Sequence, residues 1–168
     1  MPEGKAKKVA LFGMLTALAF ILSYIESIFV LPAQTVGMKL GLANIVILAA
    51  LYIFGAKQAA VIAVIRVVLA GFTFNSISMM IYSFGGVLIS FLLMLFLKHT
   101  KQFGIVGVSV AGGVGHNIGQ ILIATLVLGN VLYYLPILLI GGIVSGLIIG
   151  LLGAMVVKKM NHILKFQK

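Results

Sequence analysis

The chain has 168 residues, of which 62% are hydrophobic and 8% charged, and its mean hydropathy is +1.28. A soluble domain carries about 25% charged residues, so this composition excludes a soluble enzyme and points to an integral membrane protein. The formal charge of +10 is not a nucleic-acid footprint, because the Lys and Arg residues sit between apolar runs and not along one solvated face.

A spanning helix needs roughly 20 apolar residues, and six candidate segments occupy positions of about 9–30, 40–55, 57–73, 76–97, 104–128 and 133–157. The basic stretch Met1–Lys8 runs into the first of them without an obvious cleavage site, so it reads as the start of a retained helix. Ala6, Ala10, Gly13 and Ala17 follow at steps of four, three and four, which puts them on one helical face at the basic end. Such a face either packs within the bundle or docks a partner helix. After the first segment, Leu31–Lys39 forms a loop with Pro32 and Gly37 that leads into Leu40-Gly41-Leu42-Ala43-Asn44. The second and third segments are short and almost abut at Gly55-Ala56-Lys57, so a tight hairpin is expected, with one arm tilted or partly buried in protein. Arg66 lies within the third segment, Ser83 and Ser90 within the fourth, and Gly115-His116-Asn117-Ile118-Gly119-Gln120 within the fifth. Ala111, Gly115 and Gly119 in the fifth segment, and Gly142, Gly146, Gly150 and Gly153 in the sixth, have the spacing of helix-packing residues.

The expected fold is therefore all-α, a six-transmembrane-helix bundle forming one integral membrane domain over residues 1–168. With the N-terminus inside, Lys5, Lys7, Lys8, Lys57, Lys98, Lys101, Lys158, Lys159, Lys165 and Lys168 lie on the cytoplasmic side, leaving Lys39 outside and Arg66 within a span. The positive-inside bias then sets both termini in the cytoplasm of a multi-pass cell-membrane protein.

Catalytic chemistry is poorly supplied. Glu3 and Glu26 are the acidic residues of the chain, and cysteine is absent. Paired-carboxylate catalysis, a carboxylate-bound magnesium ion, Cys-ligated zinc and thiol nucleophiles are thereby removed. His99 and His162 lie in basic flanks, away from His116, so no histidine metal site is expected. No catalytic residue, metal or cofactor is assigned, and the chain reads as a non-enzyme.

What remains is a set of polar residues inside apolar spans, each costly unless protein, water or ligand satisfies it. Glu26 falls toward the outer end of the first span and Arg66 nearer the middle of the third; the two either pair and brace the bundle or face a ligand. His116 and Gln120 are four residues apart on one helical face, with Asn117 beside them. Lys39, Arg66 and His116 bias a pocket toward an anionic or strongly hydrogen-bonding ligand with an apolar body. The expected ligand shell is Glu26, Lys39, Asn44, Arg66, His116, Asn117 and Gln120.

Lys39-Leu40-Gly41-Leu42-Ala43-Asn44, Arg66, Ser83-Phe84-Gly85-Gly86, Gly115-His116-Asn117-Ile118-Gly119-Gln120 and Leu135-Pro136 together resemble the bacterial Gx transporter family, also labelled heptaprenyl diphosphate synthase component I. That family is similar in size and layout to the substrate-binding S subunits of energy-coupling-factor transporters. The resemblance implies a small-molecule ligand bound near the outer face, a membrane coupling subunit docked on Ala6, Ala10, Gly13 and Ala17, and cytoplasmic ATPases. The synthase label implies instead a noncatalytic membrane accessory subunit of a prenyl diphosphate synthase or of a membrane redox or quinone system. Prenyl transfer resembles chemistry carried by aspartate-rich, magnesium-binding motifs, and this chain contains no Asp.

Overall fold

A computed structural model describes residues 3–28 and 41–165. Among them are six α-helices: α1 Glu3–Ile28, α2 Leu42–Ile53, α3 Ala56–Thr73, α4 Ile77–Thr100, α5 Ile105–Leu128 and α6 Leu135–Lys165, the last entered through a short 3-10 turn at Leu132–Tyr134. They coincide with the six expected segments, and α1 and α6 run past the apolar windows at their basic ends. The all-α six-helix bundle is thus the observed architecture. Five of the helices are long and apolar enough to cross a membrane, and the chain is a multi-pass membrane protein.

The exception is α2. Its 12 residues rise only ~18 Å at ~1.5 Å each, against a hydrocarbon core of about 30 Å. It is accommodated by burial in protein: Ala43 and the run from Val46 to Leu51 are almost fully enclosed, and α2 packs on α1, α3 and α6. The join to α3 is tight because Gly55 takes a φ of 97°, which a side chain would oppose. Where α4 begins, the Ser76 hydroxyl accepts from the Met79 amide at 3.2 Å and caps the helix.

The helices alternate in direction. The antiparallel pairing of α4 with α5 follows from Gly85 meeting Gly119 and, further along, Ser90 meeting Gly115. In the α5–α6 pair Gly113 meets Gly142, and Val106 meets Gly150. Lys98 Nζ donates to the Leu51 carbonyl at 2.5 Å and lies 4.7 Å from the Tyr52 ring centroid, which binds the ends of α2 and α4 together. Lys57, Lys98, Lys101, Lys158 and Lys159 therefore gather at one end of the bundle. Large apolar side chains such as Met14, Phe72, Phe96 and Leu126 cover the outside, as lipid contact requires.

The small-residue series divide into two kinds. Those on α5 and α6 are internal: a Cβ on Gly146 would stand 2.6 Å from the Val110 Cα, and one on Gly153 would stand 2.7 Å from Leu48. Ala6, Ala10, Gly13 and Ala17 are all exposed, and a Cβ on Gly13 would meet no atom within 4 Å.

That contrast predicts different costs for one added methyl group. Gly119→Ala, which drives a carbon into the Gly85 carbonyl, should destabilise the protein by about 1–3 kcal/mol. Gly13→Ala should leave its melting temperature in mild detergent unchanged or slightly raised. Similar melting points for the two variants would contradict the internal packing of α4 on α5.

Orientation is tested separately. With the lysine-rich end in the cytoplasm, a cysteine replacing Asn130 should react with an impermeant thiol reagent on intact cells. One replacing Thr100 should react only after the membrane is opened, and the converse pattern would invert the topology.

Candidate functional site

The end of the bundle opposite the lysines holds a polar cleft. Its floor begins where α1 approaches its end: Glu26, 3% exposed, accepts a hydrogen bond from the Gly41 backbone amide. Gly41 stands just before α2 with a φ of 76°, a left-handed conformation that favours glycine. A side chain there would also crowd the Asn44 amide and Ile149, both 3.1 Å from an added Cβ. This glycine lets the chain turn sharply enough for its amide to reach the carboxylate. The Asn44 backbone N–H in turn donates to the Gly41 carbonyl at 2.8 Å, so the first turn of α2 is anchored to α1 through one glycine.

Arg66 enters from α3 and is only 7% exposed. Glu26 is near enough for the two charges to attract, which offsets part of the cost of holding a guanidinium away from water. Its Nε nevertheless has no hydrogen-bond partner among the described residues. Ser83 on α4 and His116 on α5 face the same space, with Ser23, Asn44 and Asn75 at its margins. The Ser23 hydroxyl is already satisfied, since it donates to the Ala19 carbonyl at 2.9 Å. The cleft encloses about 430 Å³ of non-atom space, part of it open outward. Its enclosed portion has room for a water molecule or two, so a larger guest requires the walls to separate.

Gly86 explains how α5 presents its polar residues. A Cβ at this position would lie 2.8 Å from both the His116 imidazole and Gln120 Cγ, so these side chains fold over a bare stretch of α4 backbone. Of the expected ligand shell, Glu26, Asn44, Arg66 and His116 line the cleft. Asn117 is turned to a different purpose: its Nδ2 donates to the Leu138 carbonyl at 2.6 Å, tying α5 to α6. Gln120 is buried over Gly86, outside the cleft lining, and its Oε1 has no partner among the described residues. Lys39 lies outside the described residues.

The sequence model of the family described as heptaprenyl diphosphate synthase component I matches residues 15–156. The chain belongs to that family. The match covers every helix that contributes to the cleft and stops short of the basic tips of α1 and α6. No curated protein and no solved structure matches the chain.

In this family member the cleft also draws on Ser23, Asn75 and Met80, which the sequence reading passed over. Asn75 sits in the turn between α3 and α4 and Ser23 is a hydroxyl with a helical carbonyl to bond, so neither stands out as a polar residue stranded in a span. The Ser83-Phe84-Gly85-Gly86 run did stand out as a pattern, but its purpose needs the neighbouring helix: Gly85 admits the Gly119 backbone and Gly86 admits His116.

The differing surroundings of Asn117 and Gln120 lead to opposite stability effects. Asn117→Ala removes the buried hydrogen bond that ties α5 to α6, which should cost about 0.5–1.5 kcal/mol. Gln120→Leu removes an oxygen that lacks a partner and should leave the ligand-free protein equally or more stable. Melting temperatures of the two variants in the same detergent check this ordering; equal losses would mean that Gln120 braces the bundle as Asn117 does.

Proposed function

We propose that this protein is a membrane-embedded, substrate-binding subunit, S-component-like, that takes up a small anionic or amphipathic solute from the face opposite its lysines. It binds the solute and does not transform it. Separate coupling and ATPase subunits supply the energy. The observation that carries this reading is Arg66: a guanidinium more than nine-tenths buried, with Nε unpartnered among the described residues, beside a cleft that also holds His116, Asn44 and Ser83. A carboxylate or phosphate oxygen provides the acceptor that Nε lacks, and charge-assisted bonds of this kind are the stronger ones. Glu26 holds the Gly41 turn and balances Arg66 when the site is empty.

The exposed small-residue face of α1 supports the coupling part of the proposal. A helix that presents Ala6, Ala10, Gly13 and Ala17 outward allows another helix to approach closely, and backbone proximity substitutes in lipid for the missing hydrophobic drive.

A second reading has its own support in the family description. Taken from the description heptaprenyl diphosphate synthase component I, that reading makes the chain a noncatalytic membrane accessory that would recruit a prenyl diphosphate synthase or a membrane redox or quinone system without transporting anything. Native mass spectrometry of gently solubilised protein separates the two. Uptake predicts a copurifying small anion and a membrane coupling subunit, with Ala10→Leu or Ala17→Leu abolishing the subunit's copurification while the variant stays folded. Retention of a soluble prenyl synthase by both variants, with no bound small molecule, would replace the uptake reading with the accessory one.

A further inference from the structure

Below the cleft lies a second, smaller cavity with room for no more than one water molecule, and Asn44 lines both. It is bounded by Leu48, Ser90, Met94, Ser109 and Ile149, contributed by α2, α4, α5 and α6. Backbone at Gly112, Gly113 and Gly146 completes the wall. The glycines draw the helices closely around it: a Cβ on Gly112 would stand 2.8 Å from Met94 Sδ and 3.4 Å from Ser90 Oγ, so Met94 lies directly against the α5 backbone.

The two serines differ from most of the hydroxyls within the helices. Thr16, Ser23, Thr73 and Thr125 each bond back to the carbonyl four residues earlier, the usual way in which a hydroxyl is satisfied within an apolar helix. Ser90 and Ser109, 4% and 5% exposed, form no such bond among the described residues. Both border the cavity, where an incoming group can reach them. A purely hydrocarbon guest would leave two buried hydroxyls unpaired, which is costly. A compact anion would fill the outer cleft alone.

Resting on the binding role assigned to Arg66, we propose that the two cavities are one elongated site with Asn44 at its waist. Its ligand is a slender anion with the charged group at Arg66 and a hydrogen-bonding group at the far end, between Ser90 and Ser109. Asn44, which has both a donor and an acceptor, serves the middle of such a molecule. Met94, with three rotatable bonds, is the wall that yields as the molecule enters.

The test uses the intact protein in mild detergent with simple probes: the straight-chain carboxylates from butanoate to octanoate and their ω-hydroxy counterparts. At one chain length the hydroxy acid should bind about tenfold more tightly than its parent, the value of one good buried hydrogen bond. Ser90→Ala and Ser109→Ala should erase that advantage, weakening the hydroxy acid and leaving the parent acid bound equally or more tightly, with a ligand-free melting temperature equal or higher. Arg66→Gln, or Arg66→Lys if the glutamine variant does not fold, should weaken both acids. Equal affinity of parent and hydroxy acid at every length, with the Arg66 effect intact, would remove the second chamber from the site and leave it merely hydrated. Binding of neither acid, or binding indifferent to Arg66, would overturn the binding role of the cleft as well.

Discussion

Close approach of helix backbones at glycine is the constraint on which this structure rests. In a bilayer, apolar side chains gain little by leaving lipid for one another, so helices associate through van der Waals contact and interhelical hydrogen bonds. Here α5 is the hub. Gly119 meets Gly85 of α4, while Gly113 meets Gly142 of α6, and the hydrogen bond from Asn117 to the Leu138 carbonyl secures the second interface. The glycines bring the backbones together and the asparagine keeps α5 from sliding along α6.

The same glycines make the polar interior possible. Gly86 provides the depression into which His116 and Gln120 fold, and Gly112 lets Ser90 and Met94 of α4 lie against the α5 backbone. Each absent side chain therefore does two things, tightening one contact and leaving room for a neighbouring polar group. The short helix α2 depends on this scaffold. It is too short to cross the hydrocarbon comfortably, so its ends are secured by others: Glu26 of α1 takes the Gly41 amide at one end, and Lys98 of α4 takes the Leu51 carbonyl at the other. Two charged side chains thus satisfy backbone groups at the termini of a helix that lies within protein.

Electrostatics gives the cleft its character. Glu26 is committed to the Gly41 turn and still attracts Arg66, so the empty site is close to balanced in charge while the guanidinium keeps a donor in reserve. An arrangement that served only to brace the bundle would engage that donor as well. The outward small-residue face of α1 lies at the opposite end from the cleft, so a solute and a partner helix would meet different parts of the molecule.

The sequence by itself determined membrane residence, the number and order of the helices, the shared end of the lysines and the family. These follow from composition and from one-dimensional patterns: long apolar runs, charges confined to their ends, and local motifs. It also placed Glu26, Asn44, Arg66 and His116 among the candidate site residues, because polar groups inside apolar spans are conspicuous wherever they face. Tertiary structure decided which of those groups share a space. Asn117 and Gln120 are neighbours of His116 on one helix, yet the first spans to α6 and the second lies over Gly86, since their directions depend on where α4 and α6 approach α5. It also separated three similar small-residue series into internal contacts on α5 and α6 and an exposed face on α1. Spacing within a helix defines a face, but only the positions of the other helices decide whether that face is covered.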